Sequence, residues 1–136
     1  MERITVETLV HAPIEKVWHD FTDPDAIVQW NAASDDWHTT KSENDLRTGG
    51  TFMSRMEAKD GSTGFDFGGT YDEVVMHEHF SYTMDDGRKV DVKFAPEGDT
   101  VRIIETFDPE SENTADLQRQ GWQAILDNFK KYCESH

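Results

Sequence analysis

One acidic residue, Glu105, falls inside an apolar strand pattern and is the sharpest candidate for chemistry in this sequence. Alternate residues of a strand share a face, so Glu105 lies between Ile103 and Phe107 on a face that should be buried. A buried carboxylate is costly unless it is paired. Glu105 could orient a ligand or transfer a proton. Two structural explanations compete with this, and we prefer them: the strand register is shifted by one residue, or Glu105 pairs with Arg47 or Arg55.

The six histidines raise the question of a metal site. His77 and His79 are two residues apart, which would put both on one side of a strand, but they fall at a predicted bend between strands. A zinc or iron site needs at least one further ligand from elsewhere in the chain. We therefore expect no bound metal and no cofactor.

Motifs of nucleophilic and phosphate chemistry do not stand out. There is no evident Ser-His-Asp order, and Gly49-Gly50 lacks the lysine and the helix of a phosphate-binding loop. Cys133 is the only cysteine, and its place on an apolar helix face predicts a core residue rather than a nucleophile. We therefore expect no catalytic residue. An enzyme of the cyclase or hydrolase kind would have to transfer protons through Glu105 or Tyr71.

Length and charge narrow the function classes. The chain has 136 residues, which favours one domain over 1–136, and a formal net charge of −15. So acidic a surface repels phosphate and anionic lipid, and no apolar run nears the ~20 residues of a membrane span, so we expect neither nucleic-acid nor membrane partners. The first ten residues lack the apolar stretch of a signal peptide, which together with the single cysteine predicts a cytoplasmic protein.

Hydrophobic periodicity predicts seven strands and three helices. Two short helices follow the first strand: Pro13 opens one that runs to Phe21, and Asp23 caps a second that ends near Trp30. Gly69 predicts a close backbone approach or a bend within its strand. The predicted strands are residues 3–10, 36–45, 51–58, 65–75, 80–84, 88–95 and 100–107.

The last patterned segment, from about Ser111 to Cys133, predicts one long amphipathic helix. A helix of about 23 residues is roughly 35 Å long and can cross a whole small domain. It needs a broad, curved apolar partner, and only the strands can supply one. Its predicted inner face, with spacings of three and four, consists of Ala115, Gln118, Trp122, Ile125, Leu126, Phe129 and Cys133.

Local motifs spread over almost the whole chain carry a family resemblance. They are residues 12–18 (APIEKVW), Thr22-Asp23-Pro24 followed by Trp30, 45–52 (DLRTGGTF), 69–74 (GTYDEV), and Gly121-Trp122 in the last helix. In this order they resemble the START-like (SRPBCC) superfamily and, within it, the family built on the C-terminal domain of the activator of heat-shock protein 90 ATPase. The resemblance implies an α+β helix-grip fold, in which a seven-stranded curved antiparallel sheet wraps around the C-terminal helix and encloses a cavity. Two short helices follow strand 1 in that fold.

Strand alternation predicts which side chains face that cavity. The inner faces are rich in aromatic residues and methionine, which suits a planar or apolar small molecule held by stacking. Any one of these aromatic residues could instead simply fill the core. The candidate ligand-binding residues are Trp30, Phe52, Phe65, Phe67, Tyr71, Tyr82, Phe94, Glu105, Trp122 and Phe129.

Three function classes remain open, beside a structural or stress role that needs no ligand. Binding or carrying of a small apolar or aromatic molecule predicts a cavity of several hundred Å³. An enzyme that uses the same cavity predicts a titrating group with a displaced pKa. A chaperone-associated module predicts an exposed apolar patch. The activator that the resemblance names makes much of its chaperone contact through a separate N-terminal domain, for which 136 residues leave no room. Both a monomer and a homodimer are compatible with the sequence.

Overall fold

The computed structural model describes residues 2–135 and has the expected helix-grip architecture. Seven strands form one antiparallel sheet in the order β1-β7-β6-β5-β4-β3-β2. From β2 to β7 each strand pairs with the next in sequence, and β1 pairs with β7, so β1 and β2 are the two edges. The strands are β1 (Ile4–Val10), β2 (Trp37–Asn44), β3 (Thr51–Ala58), β4 (Gly64–Val75), β5 (His79–Met84), β6 (Lys89–Glu97) and β7 (Thr100–Phe107).

Two short helices, α1 (Ile14–Thr22) and α2 (Pro24–Trp30), connect one edge of the sheet to the other. As predicted, the Asp23 side chain caps α2 by accepting a hydrogen bond from the Ala26 backbone N–H at 3.3 Å, with Pro24 in the first turn. The sequence pattern therefore predicted both short helices and the residue, Asp23, that separates them.

The C-terminal helix α3 (Ala115–Glu134) is shorter than predicted. It has 20 residues, which correspond to roughly 30 Å. It begins at Ala115 because the Thr114 hydroxyl accepts the Leu117 backbone N–H at 3.1 Å, and this cap ends the preceding loop. The prediction of a start near Ser111 was wrong, and Ala115, which we placed on the inner face, is exposed.

Two turns also differ from their predicted limits. His79 is the first residue of β5, and the turn before it contains His77 at a positive φ of 66°. Strand β6 extends to Glu97, which pairs with Thr100, so the turn between β6 and β7 is two residues long. Both differences shift strand ends without changing the topology.

Two glycines shape the backbone around β4, Gly69 by allowing a close approach of strands and Gly49 by adopting a positive φ. At Gly69 an added Cβ would clash with the Thr83 carbonyl oxygen, which confirms the predicted close approach between β4 and β5. Gly49 adopts a φ of 84° in the loop between β2 and β3, and its N–H donates to the Tyr71 carbonyl at 2.9 Å. This hydrogen bond fixes the loop to the backbone of β4 at Tyr71, whose side chain points toward the inner face of the sheet.

An aromatic cluster fills one side of the space between the sheet and α3. Ring centroids of the contacting pairs lie 4.8 to 6.0 Å apart, in edge-on or tilted arrangements. The Trp30 indole N–H donates to the Asp20 carbonyl at 2.9 Å, which satisfies the polar atom of a buried ring. The cluster consists of Trp18, Phe21, Trp30, Phe80, Phe94 and Phe129.

Candidate functional site

A cavity of about 500 Å³ lies between the sheet and α3, next to the aromatic cluster. Strands β2 to β5 and β7 supply one wall, α3 supplies the opposite wall, and α2 with the loop after it closes a side. Its aromatic lining consists of Phe21, Trp30, Trp37, Phe52, Phe65, Phe67, Tyr71, Phe80, Tyr82 and Trp122.

Gly121 leaves room for this cavity on the inner face of α3. Gln118, Gly121, Trp122 and Ile125 all line it, as expected for positions three and four apart on one helix face. A Cβ added to Gly121 would meet no atom within 4 Å. Glycine in a helix interior is unfavourable relative to alanine by about 1 kcal/mol, so this residue keeps space open at a cost in helix stability.

The rings of the cavity wall contact one another and fix its shape. Phe52 lies edge-on to Tyr82 with centroids 4.7 Å apart, and Phe67 lies edge-on to Trp122 at 6.2 Å. Trp122 also stacks on the buried Phe107, with a centroid distance of 4.0 Å and an interplanar angle of 10°. The indole of Trp122 is therefore held flat against β7 with one edge toward the cavity wall.

The rim of the cavity combines an exposed aromatic pair with a pinned loop. Phe65 is 48% exposed and lies 5.8 Å from the Trp37 ring. In the loop before α3, the Gln118 amide accepts the Glu110 backbone N–H at 2.8 Å and donates to the Asn113 carbonyl at 2.8 Å. This explains why a polar residue of the helix is buried: its amide holds the loop beside the cavity.

Glu105 lies in the cavity lining and is only 8% exposed. It pairs in register with Val6 on β1 and Val92 on β6, so its side chain points to the inner face together with theirs. The register is the one that strand alternation gives. Burial raises the pKa of the Glu105 carboxyl from 4.5 to about 8.

Neither structural explanation that we preferred for Glu105 holds. Arg47 forms its ion pair with Asp45 at 3.0 Å, and Arg55 pairs with Glu57 and Asp66 on the sheet. Within residues 2–135 no hydrogen bond or ion pair reaches the Glu105 carboxyl. It is a nearly buried acid that lines the cavity and has no partner among the described residues.

The two tyrosines of the wall differ in their surroundings. The Tyr71 hydroxyl donates to the Asn44 side-chain oxygen at 2.6 Å, and the Asn44 amide donates to the Thr22 carbonyl at 2.7 Å. Burial raises the pKa of Tyr71 well above its ordinary value. Burial, and then the charge of nearby Glu105, raises the pKa of Tyr82 as well. Tyr71 is thus committed to a structural hydrogen bond, while Tyr82 lies close to the free acid.

The structure brings most of the predicted site residues together around the cavity. Phe94 and Phe129 do not line it but belong to the adjacent aromatic cluster, where they are 4% and 0% exposed. Strand and helix spacing predicts which face a residue lies on, but not whether that part of the face borders the cavity or the packed core. The predicted residues that do line the cavity are Trp30, Phe52, Phe65, Phe67, Tyr71, Tyr82, Glu105 and Trp122.

Sequence reasoning missed several polar residues of the cavity, among them Asn44 and Arg88. Asn44 ends β2 and faces inward, which its polar strand did not signal. Arg88 follows a tight turn, and its guanidinium pairs with Asp86 at 2.8 Å. Asp-Asp-Gly-Arg resembles any solvent-facing hairpin turn, so no local signal marks the arginine as a cavity residue.

The histidines among residues 2–135 and Cys133 lie outside the cavity lining. His79 contacts Glu73 at 2.5 Å, and the His77 ring packs edge-on to Trp18. No group of three or more potential metal ligands occurs within residues 2–135. Cys133 is 1% exposed, and burial raises the pKa of its thiol to about 12.

No helix in the described part of the chain is long and apolar enough to cross a membrane.

Comparison with known proteins identifies related sequences and folds. Residues 11–134 match the family described as Activator of Hsp90 ATPase homolog 1-like protein. The AHSA1-like protein from Aeromonas hydrophila is 52% identical over 98% of this chain and 92% of its own, with a TM-score of 0.92. A protein from Cytophaga hutchinsonii has the same identity and coverages with a TM-score of 0.85.

A more distant protein, from Chromobacterium violaceum, is 25% identical over 98% of this chain and 99% of its own, with a TM-score of 0.87. No curated protein matches the sequence.

Proposed function

The chain belongs to the Activator of Hsp90 ATPase homolog 1-like family, and on that premise we propose that it binds or carries a small apolar or aromatic molecule in the cavity between the sheet and α3. The observation that carries the proposal is the cavity itself. Its volume of about 500 Å³ falls within the range of small-molecule sites, and its lining surface is mainly apolar and carries ten aromatic side chains. A core that only needed to be packed would leave no such space.

The composition of the wall supports an apolar, partly planar ligand. Rings of Phe52, Phe67 and Trp122 offer faces and edges for stacking, and the methionines Met56 and Met84 supply adaptable apolar contact. The half-exposed Phe65 at the rim gives such a ligand an apolar first contact.

A neutral fluorescent probe tests this proposal. N-phenyl-1-naphthylamine becomes bright in apolar surroundings, and we expect the wild-type protein to bind it saturably at a single site. The variant Gly121→Phe should fill the cavity from α3, because its side chain enters open space, and should lose the probe. The matched control Gly121→Ala adds only a methyl group and should retain it.

Two results would contradict the proposal. One is no saturable binding of the probe to folded wild-type protein. The other is equal binding by Gly121→Phe and Gly121→Ala, since the probe would then lie elsewhere. Circular dichroism checks that both variants fold.

A second candidate function is an enzyme that uses Glu105 as a proton donor or acceptor. The nearly buried carboxyl with a raised pKa in a cavity supports it, since displaced pKa values are common at catalytic groups. Tyr71 is less suited to that role because Asn44 already accepts a hydrogen bond from its hydroxyl.

The chaperone-associated alternative finds less support. The exposed large hydrophobic residues of the described chain are Phe65, Met76 and Leu117, and Phe65 belongs to the cavity rim.

A further inference from the structure

The carboxyl of Glu105 is the one acidic group of the cavity, within the described chain, that has no partner. Glu43 also lines the cavity but pairs with Lys41 at 3.1 Å, and the Glu110 carboxylate accepts the Asn113 backbone N–H at 2.6 Å. Glu105 has neither a hydrogen bond nor an ion pair, although it is 8% exposed. A buried carboxylate without a partner is unfavourable, so this group either holds a proton or, when ionised, pairs with a cation from outside the chain.

Within residues 2–135, the cavity lining offers no free positive charge to supply that interaction. Arg88 is the only cationic side chain in the cavity lining, and Asp86 holds its guanidinium at 2.8 Å. The three carboxyls Glu43, Glu105 and Glu110 therefore outnumber the cations of the lining. The whole protein carries a formal net charge of −15, which raises the local concentration of small cations near it.

The aromatic lining suits a cation as well as an apolar body. The face of an aromatic ring attracts ammonium groups, most strongly when water is excluded. Tyr82 lies close enough to Glu105 for the carboxylate charge to raise its pKa, and Phe52 packs edge-on to Tyr82 with centroids 4.7 Å apart. An ammonium group at Glu105 would thus have both a carboxylate and aromatic rings around it.

We propose that the ligand of this cavity carries a protonated amine, which pairs with the Glu105 carboxylate while the apolar part of the ligand packs against the aromatic lining. This inference rests on the proposed function and adds the chemical class of the molecule. A charge-assisted hydrogen bond of this kind is about twice as strong as a neutral one. The preference for an amine over a neutral molecule of the same shape should therefore reside in Glu105.

Binding of an amine should release a proton from Glu105. The carboxyl is mostly protonated below pH 8 in the empty cavity and must ionise to pair with an ammonium group. Val6 of β1 and Val92 of β6 pair with it on the neighbouring strands, Tyr82 of β5 lies close to it, and Gln118 and Trp122 of α3 line the same cavity. The other ionisable groups of the lining are Tyr71, Arg88, Glu43 and Glu110. Amine affinity should therefore rise between pH 6 and 8.

A set of three naphthalene compounds isolates the amine. We would measure displacement of N-phenyl-1-naphthylamine at pH 8 by 2-naphthylmethylamine, 2-naphthylmethanol and 2-naphthoate, with wild-type protein and Glu105→Gln. We expect the amine to bind at least about tenfold more tightly than the alcohol, and the carboxylate to bind most weakly. In Glu105→Gln the amine and the alcohol should bind about equally.

The outcomes separate this inference from the proposed function. If the alcohol or the carboxylate displaces the probe as well as the amine does, the inference is wrong while binding of apolar molecules stands. If Glu105→Gln keeps the amine preference, the cation is recognised elsewhere and the assignment to Glu105 fails. If wild-type protein binds neither the probe nor any of the three compounds, both proposals fail.

Discussion

Substituting Glu105 by glutamine should change how the stability of the empty protein depends on pH. Burial raises the folded-state pKa of this carboxyl to about 8, against 4.5 in the unfolded chain. Between these values the folded protein holds a proton that the unfolded chain has released, so the free energy of unfolding falls as the pH rises. The loss is about 1.4 kcal/mol per pH unit, or about 3 to 4 kcal/mol between pH 5 and pH 8.

Glu105→Gln retains the shape of the side chain and removes the titration. We expect its free energy of unfolding to equal or exceed that of the wild type at pH 8, and the value for the variant minus the value for the wild type to become about 3 to 4 kcal/mol more negative at pH 5. Using the difference removes the general effect of net charge, which both proteins share. Carboxyls with a lowered pKa, such as Glu134 at about 2, reduce stability only in more acidic solution.

Urea denaturation followed by tryptophan fluorescence at pH 5, 6, 7 and 8 measures both proteins. The four tryptophans of the chain provide the signal, and constant ionic strength keeps screening the same. If the free energies of unfolding of the two proteins ran parallel from pH 5 to pH 8, Glu105 would titrate as an ordinary exposed carboxyl. The description of its burial would then be wrong.

Three further predictions concern packing and reactivity. Tyr71→Phe removes the donor to Asn44 and should lower the free energy of unfolding by about 1 to 2 kcal/mol in urea denaturation; an unchanged value would refute the hydrogen bond. Trp122→Ala removes the ring stacked on Phe107 and should cost about 3 to 5 kcal/mol, with Trp122→Phe clearly milder in the same assay, and equal losses would contradict the stacking. Cys133, with its pKa raised to about 12, should resist a thiol-exchange reagent at pH 8 until urea unfolds the protein, so rapid native labelling would argue against its burial.

The order of the elements could be predicted from the sequence because each element carries its own periodicity. Val101, Ile103 and Phe107 are buried and alternate with half-buried neighbours along β7, so burial follows the alternation residue by residue. The caps of the helices were harder to place. Asn113 and Thr114 are both suitable capping residues, and only the geometry selects Thr114.

The candidate site was predictable in its lining but not in its polar chemistry. Alternation identified Phe52 and Tyr82 as inward-facing residues because a face is a local property of a strand. The absence of a partner for Glu105 depends on where Arg47 and Arg55 lie in three dimensions, and spacing contains no such information. The room left by Gly121 likewise depends on the distance between α3 and the sheet.

Nuclear magnetic resonance of the methionine methyl groups tests the central proposal, a ligand inside this cavity, most directly. Met56 and Met84 line the cavity and are 7% and 8% exposed, whereas Met76 is 69% exposed and outside the lining, so one spectrum contains both probe and control. On saturation with N-phenyl-1-naphthylamine, we predict ring-current shifts of the Met56 and Met84 methyl signals and an unmoved Met76 signal. Shifts confined to Met76, or none at a saturating concentration, would contradict binding in the cavity.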